Sequence, residues 1–241
     1  MPDTRLPERQ LPKRLIYLFG IAGNAGVSPA LQQLADEGCE VIIPTVPGFD
    51  GETGFVAPVE YLDWLATFWD SIDATGATPC PVVGASIGGM IAADLAAMRP
   101  EAVTKLALLA PFGIADASNP GFDLYAVRSP DRMPHLFAKG VPEAFNARFA
   151  AKGEEEAPVA LYLSEIASAS LTWPLGDRGL KHRIHRITCP KLVLWGEQDE
   201  LLPHSLIERW GGGDVIAGAG HLLEWDTPDE VASQLRTFLK D

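Results

Sequence analysis

Long apolar runs alternate along this chain with stretches whose apolar residues recur every three or four positions. Residues 14–20 (RLIYLFG), 81–85 (PVVGA), 103–110 (VTKLALLA) and 191–196 (KLVLWG) are almost continuous in apolar side chains. Such runs suit strands covered on both faces, as the strands of a parallel sheet are. Residues 40–46 (EVIIPTV) form a further strand, and Pro44 near its end places it at or beside a sheet edge. A first helix is capped by Ser28 with Pro29 at its first position, shows Leu31, Leu34 and Ala35 on one face, and stops at Gly38. A glycine-rich loop at 47–58 precedes a second helix, 59–73, with Leu62, Leu65, Ala66, Phe68, Trp69 and Ile72 at helical spacing. A third runs from Ser86 to near Arg99-Pro100. Short alternating units of strand and helix imply a parallel sheet with right-handed crossovers and helices on both faces.

The alternation breaks from 111 to about 188. Pro120, Pro130, Pro134, Pro142, Pro158 and Pro174 punctuate short helical segments there, the clearest at 143–152 and 158–170. A stretch this long is an insertion that covers something, not a plain loop. Strand and helix then resume: 191–196, a helix at 204–210, a short strand at 214–217, and a last helix. That helix opens on Thr227-Pro228-Asp229-Glu230, a capping box with proline at the first helical position. The expected division is a core at 1–112, a helical cap at 113–188 and the rest of the core at 189–241.

Composition narrows the function classes. At 241 residues, 47% hydrophobic and 21% charged, the chain is of a size for one globular domain with an insertion. A formal net charge of −13 argues against nucleic acid or an anionic membrane as partner. A small-molecule substrate is expected, with the chain a monomer or homodimer. Cys39, Cys80 and Cys189 stand apart at the starts of strands and read as small hydrophobes, not as a disulfide or metal framework. The first fourteen residues are polar and proline-punctuated without an apolar core, which suits a cytoplasmic protein. No metal and no organic cofactor is called for.

Chemistry concentrates after the strands, at their carboxyl ends, where open parallel sheets place their sites. After the third is Gly84-Ala85-Ser86-Ile87-Gly88. A sharp strand-to-helix turn with this glycine spacing pushes the serine side chain into the open, at a helix N-terminus that favours developing negative charge. The pentapeptide alone fits equally a glycine-rich turn with an incidental serine. Asp199 follows the fifth strand and His221 the sixth, so Ser, Asp and His come in the chain order expected of this turn. Imidazole would take the serine proton, and the carboxylate would fix the imidazole tautomer. Asp199 competes with Glu197, Glu200 and Asp116 for that part. Of the other histidines, His135 lies in the insertion, His182 and His185 in the basic run KHRIHR, and His204 after a Leu-Leu-Pro turn. Two backbone donors are needed for an oxyanion: Ile87 N–H, and Ile21 N–H in the loop after the first strand.

The segments LIYLFGIAGNAG, TVPGFDG, VVGASIGG, LALLAPFG, LVLWGEQDELLP and AGAGHLLEWDTPDEVASQL resemble the α/β-hydrolase superfamily over nearly the whole chain. The resemblance is to its small lidded serine esterases and to hydrolases of carbon–carbon bonds in aromatic ring-cleavage products. It implies an α/β-hydrolase fold with a mostly parallel sheet of about six main strands, a helical cap after the fourth, and a triad of Ser86, Asp199 and His221. Two departures stand out: Phe19-Gly20 replaces the His-Gly usual after the first strand, and the N-terminal segment is short for the usual leading hairpin. The expected reaction is hydrolysis of an ester or similar acyl compound. Phe137, Phe145, Phe149, Leu161, Tyr162 and Trp173 would give the cap an apolar lining. Carbon–carbon hydrolysis of a vinylogous diketone acid is the alternative, with Arg128, Arg132 or Arg148 for the substrate carboxylate. A non-catalytic ligand-binding protein is the third reading.

Overall fold

A computed structural model describes residues 10–50 and 54–240. The expectations for the first nine residues, and for the middle of the 47–58 loop, lie outside the described residues. Six strands, β1 (Arg14–Leu18), β2 (Glu40–Ile42), β3 (Cys80–Ala85), β4 (Val103–Leu109), β5 (Lys191–Gly196) and β6 (Asp214–Ile216), form one sheet in the order β2-β1-β3-β4-β5-β6. Every neighbouring pair is parallel. The helices are α1 (Pro29–Asp36), α2 (Tyr61–Ala74), α3 (Ile87–Met98), α4 (Ser129–Arg132), α5 (Glu143–Asn146), α6 (Glu156–Thr172), α7 (Leu223–Asp226) and α8 (Pro228–Lys240).

Strand order follows from the crossovers. The chain steps one way from β1 to β2 and the other way from β1 to β3 onward, so right-handed connections place α1 on one face and α2 and α3 on the other. The last helix returns to the α1 face and packs against it, burying Val231, Ala232, Leu235 and Leu239 toward Ala30, Leu31 and Leu34. Helix α3 is buried from Ile87 to Ala97 and apolar but for Asp94, whose carboxylate is held by Arg183 and Tyr61, as suits a helix covered on every side. The reversal of direction falls between β1 and β3, so the loop after β1 and the turn after β3 face a shared crevice at the carboxyl ends of the strands.

The weak strand is the edge strand. It ends at Ile42, two residues before Pro44; with no N–H, proline cannot extend the ladder. The segment between β4 and β5 contains α4, α5, α6 and several 3-10 turns, and no strand. The stretch at 143–152 is broken into α5 and a 3-10 turn at Ala150–Lys152, and 204–210 is a 3-10 helix. Cys39 and Cys80 are buried and Cys189 half-buried, all three as free thiols.

Candidate active site

Residue 86 sits where β3 turns into α3. Its backbone is at φ 55° and ψ −118°, a region costly for a residue with a Cβ and held only when its surroundings over-determine it. The surroundings do so. Ser86 N–H donates to Leu109 O at 2.8 Å, and Ser86 O accepts from Met90 N at 3.2 Å and Phe112 N at 3.1 Å. The turn also requires Gly84, because a Cβ there would lie 2.5 Å from Gly88 O.

Three side chains from three strand ends then meet. Ser86 Oγ lies 2.7 Å from His221 Nε2, and His221 Nδ1 lies 2.9 Å from Asp199 Oδ2. The other carboxylate oxygen, Asp199 Oδ1, accepts from Leu201 N and Leu202 N, each at 2.9 Å, which leaves Oδ2 aimed at the ring. All three side chains are buried, so the hydrogen bonds work in a medium that strengthens them. An edge-on contact from Phe112, with ring centroids 5.7 Å apart, packs the imidazole from the side.

The competing residues are occupied elsewhere. Glu197 Oε2 accepts from Gly218 N at 3.1 Å, Glu200 pairs with His135 at 2.7 Å, and Asp116 pairs with Arg209 at 2.7 Å. His182, His185 and His204 are exposed. The loop carrying His221 is fastened to the helical segment: Leu222 N donates to Leu136 O at 3.0 Å, and Asp226 Oδ2 accepts from Gly220 N and Ala138 N, both at 2.8 Å. Phe145 stacks edge-on against Phe137 and Trp225 at the same junction.

Ile87 is the first residue of α3, so its N–H has no acceptor within the helix. Ile21 and Ala22 are the central residues of a turn after β1, closed by Gly23 N to Gly20 O at 3.1 Å. Of the aromatic residues expected to line the covering segment, Phe137, Phe145 and Phe149 are buried. Tyr162 and Trp173 instead turn outward and line, with Tyr125, Arg132 and Glu165, an open cleft of about 590 Å³. The three arginines also differ. Arg128 is exposed beside Asp131, Arg132 is paired with Glu165 at 2.9 Å, and Arg148 has no carboxylate within 4 Å among the described residues. Arg148 lies over the rings of Phe145 and Phe149, and burial lowers its guanidinium to about 10.

Glu224, three residues past His221, carries no signal in the sequence. It is fully buried, accepts from the Tyr17 hydroxyl at 3.0 Å on Oε1, and has no partner for Oε2 among the described residues. Burial pushes its carboxyl from 4.5 up to about 7. The bonds from its own backbone and from Tyr17, with His221 nearby, pull the other way, while Asp226 adds to the rise. The folded state therefore keeps this proton over a range where the unfolded chain has lost it. The contribution of this group to stability should be full below about pH 4.5, fall as pH rises toward 7, and level off above, a loss of about 3 kcal/mol. Unfolding free energies from urea titrations of the natural protein and Glu224→Gln, compared from pH 4.5 to 8, should change relative to one another by that amount. Parallel profiles would rule the assignment out.

The family model that matches this chain, described as the alpha/beta hydrolase family, covers residues 20–234. A 2-hydroxy-6-oxo-6-phenylhexa-2,4-dienoate hydrolase of Comamonas testosteroni is 27% identical over 240 residues, spanning 92% of this chain and 84% of that protein. Epoxide hydrolase 4 of Homo sapiens is 26% identical over 224 residues, spanning 75% and 59% respectively. The solved structure of a 2-hydroxy-6-oxo-6-phenylhexa-2,4-dienoate hydrolase from Rhodococcus sp. strain RHA1 superposes with a TM-score of 0.72 at 20% identity, covering 95% of this chain and 90% of that one. That likeness is one of fold: a parallel sheet with helices around it, here six-stranded. The model's reach over residues 20–234, on a sheet of this architecture, makes the chain a member of the alpha/beta hydrolase family.

Proposed function

We propose that this protein is a serine hydrolase that cleaves a carboxylic ester or a similar small acyl compound. The observation that carries the reading is the unbroken hydrogen-bond path from Ser86 Oγ through His221 to Asp199, at 2.7 and 2.9 Å. Ser86 Oγ attacks the acyl carbon while His221 Nε2 takes its proton, and the carbonyl oxygen becomes an oxyanion facing Ile21 N–H and Ile87 N–H. Collapse of that adduct expels the alcohol, which receives the proton from His221. Water then attacks the acyl-enzyme with His221 again as base, releasing the acid and restoring the serine. Asp199 holds the ring tautomer and stabilises the imidazolium in both halves. The segment 113–188 acts as a cap that excludes water from the buried serine. Phe112, against His221, and the ring cluster of Phe137, Phe145 and Trp225 favour a small apolar acyl or aromatic group.

A second reading draws on Arg148. A half-buried cation beside the loop after β1, with no carboxylate partner among the described residues, suits the carboxylate of a vinylogous diketone acid, and relatives that hydrolyse such compounds support it. Nitrophenol release from short and medium nitrophenyl esters tests the first reading. Hydrolysis of esters with a clear chain-length preference is the expected result. No release, together with turnover of a ring-cleavage diketone acid that Arg148→Gln abolishes, would replace the first reading with the second.

A further inference from the structure

Two side chains reach from the segment between β4 and β5 to the tip of the loop after β1. Ser168, buried on α6, sets its hydroxyl against Ile21 O, its single proton shared between that carbonyl and Ser164 O of its own helix at 2.9 Å, and Arg148 donates Nε to Ala22 O at 3.2 Å. Ile21 O and Ala22 O are the carbonyls of the two central residues in the turn closed by Gly23 N. Helix α6 approaches closely enough that a Cβ on Gly23 would sit 3.1 Å from Ser164 Cβ and 3.1 Å from Phe49 O. The tip is therefore clamped between α6 and the chain at residue 49.

Apart from the turn's own Gly23 N to Gly20 O bond, the side-chain bracing that the core gives this loop among the described residues is at its far end. Asn24 Nδ2 donates to Asp50 Oδ1 at 3.0 Å, and Gly26 N donates to Asn24 Oδ1 at 2.9 Å. Phe19, just before the loop, packs on Phe49 with ring centroids 5.3 Å apart and has no polar group to offer. The side-chain hydrogen bonds to the Ile21 and Ala22 carbonyls among the described residues thus come from the helical segment.

We infer that Ser168, with Arg148 beside it, is a positioning residue that aims the oxyanion-binding loop, so that seating the helical segment and completing the oxyanion site are one event. The inference rests on the serine-hydrolase reading. Ser86 is buried, so the segment must lift before a substrate can reach it. Lifting breaks both bonds to the tip. The Ile21 N–H is aimed only after α6 has closed again over bound substrate, when water is already excluded. Binding of the right substrate then assembles the site, and a molecule that prevents closure meets an unbraced loop. An oxyanion donor is worth most when it is held in place before charge develops, so a slack loop costs rate without costing ground-state binding.

The test compares the natural protein with Ser168→Ala and Ser168→Thr. With a nitrophenyl ester, Ser168→Ala should lower kcat about tenfold to a hundredfold and leave KM within about twofold. Affinity for an alkyl boronic acid, which adds to the serine as a tetrahedral anion, should fall by a similar factor. Ser168→Thr, which keeps the hydroxyl, should recover most of both. Amide hydrogen exchange over residues 19–26 should be at least tenfold faster in the alanine variant while the sheet keeps its protection. Unchanged exchange in that loop would overturn the brace, whatever the activity does. Faster exchange with unchanged kcat and boronate affinity would overturn its part in the reaction. If the natural protein cleaves no ester and binds no boronate, the serine-hydrolase reading fails, and with it the inferred role in an oxyanion site; the exchange comparison then decides the mechanical brace alone.

Discussion

Ser86→Ala is expected to lower ester turnover by about 10³-fold or more, and this is the largest effect on activity that the geometry predicts. The substitution removes one atom, Oγ, whose partner is His221 Nε2 at 2.7 Å. The backbone bonds that hold residue 86 at φ 55° run through its N–H and C=O, and alanine keeps all of them. The turn, the helix and the two backbone donors should therefore remain, and urea unfolding should move by no more than about 2 kcal/mol, the cost of leaving a buried ring nitrogen without its partner. Binding of ester and polarisation of its carbonyl persist, so the variant should retain weak catalysis by bound water. Steady-state nitrophenol release, with the unfolding curve as control, decides the matter. Near-normal rates in the folded variant would remove Ser86 from the reaction and leave the hydrogen-bond path without a chemical role.

The strands were legible because a parallel sheet buried on both faces demands long apolar runs, and few other structures do. The turn at Ser86 was legible because two close backbone approaches must coincide with one side chain there. Asp199 and His221 were legible only in combination, through their places after the fifth and sixth strands. The sequence already favours Asp199 over Glu197 and Glu200; the structure adds that the amides of Leu201 and Leu202 hold one of its oxygens while Glu197 accepts from Gly218 N and Glu200 pairs with His135. Helix boundaries in the segment between β4 and β5 were less legible. At 143–152 the spacing of Phe145 and Phe149 suits a continuous helix. The chain instead turns after Asn146, with Arg148 reaching Ala22 O and the two rings beneath its guanidinium. That turn answers to a partner more than a hundred residues away.

Ser168 and Glu224 show the same limit from the side of function. In the sequence, Ser168 is one small residue in an alanine- and serine-rich helix, and a serine there serves as easily for close packing. Its bond to Ile21 O spans 147 positions and exists only once α6 lies against the loop. Glu224 lies just ahead of the capping box at Thr227, where nothing in the local pattern marks it for burial. The fold closes over it and leaves it Tyr17 for a neighbour. What local pattern conveys is the periodicity of burial. What it omits is which polar atoms are left facing one another after the elements pack.

Gly88→Ala should unfold or severely destabilise the protein. A Cβ at residue 88 would overlap the carbonyl of Leu18, lying 2.5 Å from its carbon and 2.6 Å from Phe19 O. Those atoms are backbone at the end of β1, which is paired to β3 through Ile16, Tyr17 and Leu18, so no side chain can rotate out of the way. Relief requires α3 to move off the sheet, and every residue of that helix from Ile87 to Ala97 is buried. Overpacking against flexible side chains costs about 1–3 kcal/mol; against backbone on a central strand the cost should reach or exceed the top of that range. For a chain of this size that is a fall in melting temperature of about 6–12 °C or failure to accumulate as folded protein. The same shift would carry Ser86 away from His221 and misalign Ile87 N–H with Ile21 N–H. Any soluble Gly88→Ala protein should therefore lose activity well beyond its loss of stability. Thermal unfolding and ester turnover measured on one preparation separate the two losses. A variant that melts normally would show that α3 and β1 can part without cost, and would undo the argument that glycine at 88 is what lets the serine turn sit so close to the loop after β1.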